Sequence, residues 1–297
     1  MPTSQSRYYG LFFVMSAIWG ITWVAIKVGV QHVPPLMFAG SRFVVAGLIM
    51  LIWLRVSGQR LSVRGNRRQI VMIALLMITL TYATLFWGAQ YVATGLASVI
   101  NLSLSPIILS LLSVAYGQER LRVTHLQVIA LGVTGLLILF GPQIAFGGDG
   151  WEILGMLAIA FSTLAYCWGT VMGRPVFQQN APLLMSAVNT LIGGATLVLI
   201  SLLVEPAGLA SLAALGEPKV LASWLMLVIF GSLVAFTIYL KLVRDWGAWR
   251  AGLYAFVSPV IAVASGSLLL GERLTLGFVV GAALLLAAAW IALKKTP

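Results

Sequence analysis

The chain reads as long apolar runs separated by short polar or basic intervals. Apolar stretches fill 8–27, 34–56, 69–91, 94–116, 123–141, 151–173, 181–203, 221–242, 247–270 and 274–293. Each is near the ~20 residues a helix needs to cross the hydrocarbon of a bilayer. None shows the ~10-residue alternation of a membrane-barrel strand. Lipid offers the backbone no hydrogen-bond partners, so a spanning segment must satisfy its own amides and carbonyls as a helix. The pattern predicts ten membrane-spanning helices.

One pattern occurs twice. Within 95–139, Ser105-Pro106 is followed thirteen residues later by Glu119-Arg120-Leu121; within 248–293, Ser258-Pro259 is followed at the same interval by Glu272-Arg273-Leu274. The repeat extends outward. Phe86 falls opposite Tyr239, Trp19-Gly20 opposite Trp168-Gly169, Pro35-Leu36 opposite Pro182-Leu183, and Gly47 opposite Gly194. The chain therefore divides into a first repeat, 1–147, and a second, 148–297, with five spans each. Because five is odd, the second repeat enters the membrane upside down relative to the first. Inverted repeats build a substrate site near the midplane and support alternating access. The expected fold is an all-α membrane protein: ten transmembrane helices in an inverted 5+5 repeat around a central cavity.

Composition agrees. Hydrophobic residues make up 61% of the 297 and charged residues only 8%, against about 25% charged in a soluble domain. No sizeable soluble domain fits between the runs. The net charge of +11 does not form a nucleic-acid face, because the basic residues sit between apolar runs and act as topology signals. With the N-terminus inside, the cytoplasmic segments hold Arg7, Arg55, Arg60, Arg64, Arg67, Arg68, Arg120, Arg122, Arg174, Lys241, Arg244, Arg250, Lys294 and Lys295. The opposite side holds Lys27, Lys219 and Arg273. Both termini are expected in the cytoplasm. The first run lacks a small-residue cleavage site and reads as a retained helix. Cys167, the single cysteine, lies inside an apolar run and reads as a packing residue.

Trp-Gly in the first span, Ser41-Arg42-Phe43 in the second, and the doubled Pro…Glu-Arg-Leu pattern resemble the EamA family of the drug/metabolite transporter superfamily. Within it the chain looks most like the bacterial aromatic amino acid exporters. The resemblance covers nearly the whole chain. It implies a cavity lined by spans one to four and six to nine, with five and ten peripheral, and placement in a bacterial inner membrane.

The candidate substrate-binding residues are Trp19, Arg42, Tyr82, Phe86, Gln90, Asn101, Tyr166, Trp168 and Tyr239. Arg42 lies about eight residues into a span, where a lone charge costs several kcal/mol. It either meets a substrate carboxylate or freed backbone carbonyls, or snorkels to the outer interface beside Lys27. The aromatic residues either surround an apolar substrate or pack the helices together. Asn101 and Gln90 bond either a neighbouring helix or the substrate. Pro106 and Pro259 each free a carbonyl one turn earlier and are either hinges beside the substrate path or packing kinks. Glu119-Arg120 and Glu272-Arg273 read as ion pairs fixing helix ends.

The chain carries no Walker phosphate loop, zinc-binding His-Glu-x-x-His or Gly-x-Ser-x-Gly elbow. No catalytic residues, metal or cofactor are expected, and the chain does not read as an enzyme. All seven acidic residues fall in loops or at span ends, so no intramembrane proton relay is evident. Facilitated diffusion or exchange is the expected mode. The expected partners are the bilayer and a small-molecule substrate, an aromatic or hydrophobic amino acid. The protein is expected to be a monomer or weak homo-oligomer and to bind no nucleic acid. The alternatives are an anionic sugar phosphate or nucleotide sugar as cargo, and a non-transporting membrane subunit or lipid-modifying enzyme.

Overall fold

A computed structural model describes residues 3–92, 94–141, 148–270 and 276–294. Glu272-Arg273-Leu274, Lys295 and the Lys27 side chain lie outside the described residues and side chains. The helices are α1 Thr3–Val30, α2 Pro35–Val56, α3 Arg67–Gly88, α4 Thr94–Ala115, α5 Val123–Phe140, α6 Gly150–Gln179, α7 Pro182–Val204, α8 Pro218–Trp246, α9 Tyr254–Leu270 and α10 Leu276–Lys294. A short helix, Ala248–Gly252, precedes α9, and a 3₁₀ stretch, Gly208–Gly216, precedes α8. No strand occurs among the described residues. Eight of these helices (α2 to α8 and α10) contain stretches long and apolar enough to cross a membrane.

The helix starts follow local chemistry. Pro35, Pro182 and Pro218 open α2, α7 and α8, where the missing N–H would have no intrahelical partner anyway. Asp149 Oδ1 accepts from the Glu152 amide at 2.6 Å, while Glu152 Oε2 accepts from Gly148 N at 2.8 Å, a reciprocal cap on α6. The α2 N-terminus is capped from another helix. Glu205, at the end of α7, accepts from Leu36 N at 2.7 Å and Met37 N at 2.9 Å, which places a carboxylate on the positive end of the helix dipole.

Periodicity did not foretell two features. Leu75–Leu80 in α3 and Leu227–Phe236 in α8 are wound as π-helix, the widened turn that often marks functional positions. They sit at corresponding places in the two halves. Pro106 and Pro259 lie inside α4 and α9, as the sequence predicts.

The main contacts run between the halves. α2 packs on α7, α5 on α10, α1 on α8 and α9, and α6 on α3 and α4. Small residues let these backbones approach: a Cβ on Gly135 would stand 3.0 Å from the Gly281 carbonyl, and one on Gly281 2.9 Å from that of Gly135. The outward surface is apolar, with Val56, Leu203 and Leu276 largely exposed, as lipid-facing residues should be.

Loop contacts define two ends of the bundle. At one, Tyr8 donates to Asp245 at 2.9 Å, Tyr9 donates to the Leu293 carbonyl at 3.3 Å, and Asn180 Oδ1 accepts from Arg64 N at 2.8 Å. At the other, Tyr91 stacks on Trp151 at 5.4 Å, Glu205 caps α2, and His32 lies 3.8 Å from Glu217.

Candidate functional site

Between the helices lies a cavity of about 480 Å³. Its walls come from α1, α2, α3, α4, α6, α8 and α9, with Phe140 from the end of α5. None of its lining residues belongs to α7, whose small-residue face is occupied by α2. The resemblance implied walls from α7 and none from α5. The cavity reaches from the middle of the bundle toward the α1–α2 end, using the later turns of α1 and α3 and the early turns of α2 and α4.

Arg42 is the charged group in this wall. It is 3% exposed and its Nε has no hydrogen-bond partner. Its guanidinium carbon lies 4.4 Å from the Phe43 ring centre and 5.3 Å from that of Tyr82. Such contacts are worth about 2 kcal/mol when desolvated, less than the cost of burying a lone charge. Among the described residues no carboxylate comes within ion-pair distance of Arg42.

The aromatic residues of the wall form two groups. Phe43, Tyr82 and Phe86 follow one another edge to face at 4.9 and 5.7 Å. Trp19 meets Tyr254 at 4.4 Å and Tyr239 at 5.2 Å, while Tyr166 stacks on Tyr239 at 5.5 Å. Tyr239 is fully buried, shares a hydrogen bond with Thr170 at 3.1 Å and is not itself a lining residue. It backs the floor on which Trp19, Tyr166 and Tyr254 stand.

The wall's hydroxyls are largely committed to the backbone. Ser105 donates to the Asn101 carbonyl at 3.0 Å, Ser258 to Ser16 at 2.9 Å, and Thr163 to Ile159 at 3.0 Å. Asn101 Nδ2 donates to Thr163 Oγ1 at 3.1 Å, which leaves its carbonyl oxygen as an acceptor on the cavity side.

Of the candidates read from sequence, Trp19, Arg42, Tyr82, Phe86, Asn101, Tyr166 and Pro259 line the cavity. Three of the others stand elsewhere. Gln90 is exposed in the α3–α4 turn and donates to the Phe86 carbonyl at 3.4 Å. Trp168 is 44% exposed and donates to the Tyr116 hydroxyl at 2.7 Å. Pro106 is buried inside α4 and is not a lining residue. Sequence reasoning passed over Thr22, Phe43, Thr163, Tyr254 and Ser258, all in the wall. Tyr254 had a signal: it precedes Pro259 by five residues, as Asn101 precedes Pro106.

The end of the bundle carrying Tyr8 is closed. Tyr8, Tyr9 and Phe12 gather around Trp246 at 5.6, 5.3 and 6.2 Å. Glu119 lies among the charges of Arg174, Arg250 and Arg122 and 4.0 Å from His125, while its sequence neighbour Arg120 is exposed. The expected Glu119-Arg120 pair is thus replaced by contacts that tie the α4–α5 loop to α6 and the α8–α9 junction. Ser110, Ser113, Ser186 and Asn189, on the same side, are buried with side-chain polar atoms that have no partner.

The model of the EamA-like transporter family matches residues 6–141 and again 153–294. The chain belongs to the EamA-like transporter family. It is 29% identical over 269 residues to the uncharacterized inner membrane transporter YedA of Escherichia coli (strain K12), covering 90% of this chain and 84% of that protein. It is 29% identical to a probable amino-acid metabolite efflux pump of Salmonella typhimurium, covering 95% and 93% of the two chains. It is 27% identical to the uncharacterized transporter YoaV of Bacillus subtilis, covering 91% of each. One solved crystal structure shares the fold, with a TM-score of 0.81 over 97% of both chains at 19% identity. This EamA-like protein is a multi-pass membrane transporter.

Proposed function

We propose that the chain is a bacterial inner-membrane exporter that releases aromatic and other hydrophobic amino acids by alternating access, through facilitated diffusion or exchange. Ten spans, two inverted five-helix halves and cytoplasmic termini complete the reading, and the protein works as a monomer or weak homo-oligomer. The observation that carries it is a buried Arg42, with no carboxylate partner among the described residues and its Nε unbonded, facing a cavity walled by Trp19, Tyr82, Phe86, Tyr166 and Tyr254. A guanidinium takes a carboxylate in a charge-assisted pair, and the rings suit an apolar or aromatic body.

Inversion is supported by the packing, which is unchanged when the halves are exchanged: α1 on α9 matches α6 on α4, and α1 on α8 matches α6 on α3. It is also supported by the two matches to the family model and by the π-segments at equivalent places in α3 and α8. The inner-membrane location is supported by YedA, and amino-acid cargo by the Salmonella protein. A sugar phosphate or nucleotide sugar fits less well, since its multiple charges call for more cations than Arg42, the one charged residue among the described lining residues.

The test is flux. Purified protein in proteoliposomes should equilibrate labelled phenylalanine or tryptophan faster than empty vesicles do. Equal rates would overturn the reading.

A further inference from the structure

We propose that the cavity selects a net-anionic cargo, an aromatic carboxylate whose amine is blocked or absent, over the zwitterionic amino acid. The inference rests on the assignment of this cavity as the transport site and names its preferred substrate class.

Charge balance is the first argument. Arg42 is the described cation in the wall, and its Nε is unpaired. Among the described side chains, a monoanion brings the occupied cavity to neutrality; the Lys27 side chain, next to Ile26 in the sequence, has no described placement. A zwitterion adds an ammonium and leaves one excess positive charge beside a guanidinium that is itself 3% exposed, where an uncompensated charge is costly. A carboxylate in the wall would rescue the ammonium, but the six described carboxylates all sit elsewhere. Glu119 is in the α4–α5 loop, Asp149 and Glu152 are at the start of α6, Glu205 is at the end of α7, Glu217 is at the start of α8, and Asp245 is near its end. Glu272, the seventh in the sequence, follows the last described residue of α9 and has no described placement.

Acceptor supply is the second argument. An ammonium has three donors to satisfy, and a secondary amide has one. The carbonyls of Asn101, Ser16 and Ile159 already accept from Ser105, Ser258 and Thr163. Asn101 Oδ1 remains and matches a single amide N–H; the other acceptors in the wall, the Leu102 carbonyl that Pro106 frees and neutral hydroxyls such as those of Ser98 and Tyr166, carry no charge to balance an ammonium. The ring faces nearest the carboxylate end, those of Phe43 and Tyr82, are already taken by the guanidinium, so they do not offer a cation–π seat for a second cation.

The experiment compares N-acetylphenylalanine, phenylalanine and phenylalaninamide in the same proteoliposomes, as competitors of labelled phenylalanine counterflow and as labelled substrates themselves. Thermal melting of the detergent-purified protein with each compound reads binding alone. N-acetylphenylalanine should compete, and stabilise the protein, at concentrations about tenfold below those phenylalanine requires. Phenylalaninamide, which lacks the carboxylate, should do neither. Arg42→Gln should bring the anion-to-zwitterion preference to about one, and Arg42→Lys should retain part of it.

If phenylalanine moves and N-acetylphenylalanine competes no better, this inference falls while the amino-acid reading stands. If N-acetylphenylalanine binds and moves but phenylalanine does not, the amino-acid reading falls and the inference holds. If Arg42→Gln folds and keeps the preference, the inference falls. If no compound shifts the melt or moves faster than in empty vesicles, both fall.

Discussion

Gly40 and Gly194 face each other reciprocally. A Cβ on Gly40 would stand 3.1 Å from the Gly194 carbonyl oxygen, and a Cβ on Gly194 would stand 3.1 Å from that of Gly40. The same added carbon on Gly194 would meet Val44 N at 2.9 Å and Phe43 Cβ at 2.7 Å. These neighbours are backbone or close to it, so they cannot rotate away. Gly194→Ala should cost about 1–3 kcal/mol through overpacking, seen as a lower melting temperature in detergent. Gly10→Ala, with nothing within 4 Å of the added carbon, should not lower it.

Arg42 separates function from stability. A buried charge with no carboxylate partner among the described residues weakens the fold that holds it, so Arg42→Met should melt at or above the wild-type temperature. Its transport should fall by about tenfold or more, the worth of one charge-assisted contact to cargo. Parallel losses of melting temperature and flux would assign Arg42 to scaffold instead.

Trp19 and Trp168 occupy equivalent places in the repeat but not in the bundle. Trp19 lines the cavity, while Trp168 is 44% exposed and bonded to Tyr116. Trp19→Ala should depress flux of aromatic cargo, whereas Trp168→Ala should leave it within about twofold, as for a surface substitution. Flux measured on the two variants side by side decides it.

That pair also shows how far the sequence could be read. Apolar runs separated by basic intervals reveal the helices, because lipid allows few alternatives. The prolines inside α4 and α9 and the small-residue seams follow from the same repeat. What periodicity cannot state is which end of a near-symmetric bundle holds the cavity. Trp19, Tyr82 and Asn101 therefore looked no different from Trp168, Gln90 and Tyr239, yet the first three line the cavity and the others do not. The π-segments of α3 and α8 were also hidden, since a widened turn leaves a mostly apolar run without a distinct periodicity.

Asn189 stands seven residues after Pro182, as Arg42 stands seven after Pro35. Its amide nitrogen and oxygen are both buried without partners, as are the Ser186, Ser110 and Ser113 hydroxyls on the closed side. Polar groups left this way are costly unless another state wets them. Asn189→Cys should react with a membrane-impermeant thiol reagent added from the side bearing the termini, and faster during turnover. The wild-type thiol, Cys167, is fully buried and serves as the unreactive background. No labelling from that side under turnover would place Asn189 outside the path.

Burial pushes the Glu119 carboxyl above its ordinary 4.5, and the charges of Arg174, Arg250 and Arg122 offset this only in part. The folded state therefore holds the proton to higher pH than the unfolded chain does. The contribution to stability is lost as pH rises from about 4.5 through the folded value. Glu119→Gln should melt higher than wild type at neutral pH, with the gap closing as the pH falls to that point. A variant that melts lower than wild type at neutral pH, with the deficit closing on acidification, would mean the arginines dominate.

The α2–α7 seam bears on how the protein is made. Pro35–Val56 is synthesised long before Pro182–Val204, so the nascent first half enters the bilayer with Gly40 and Gly47 facing no partner. The same holds for α5, which awaits α10. Biogenesis thus includes an interval in which half of a finished interface is presented to lipid, to the insertion machinery, or to another copy of the same half. A chain cut between the repeats should need both fragments made together in one cell before either persists.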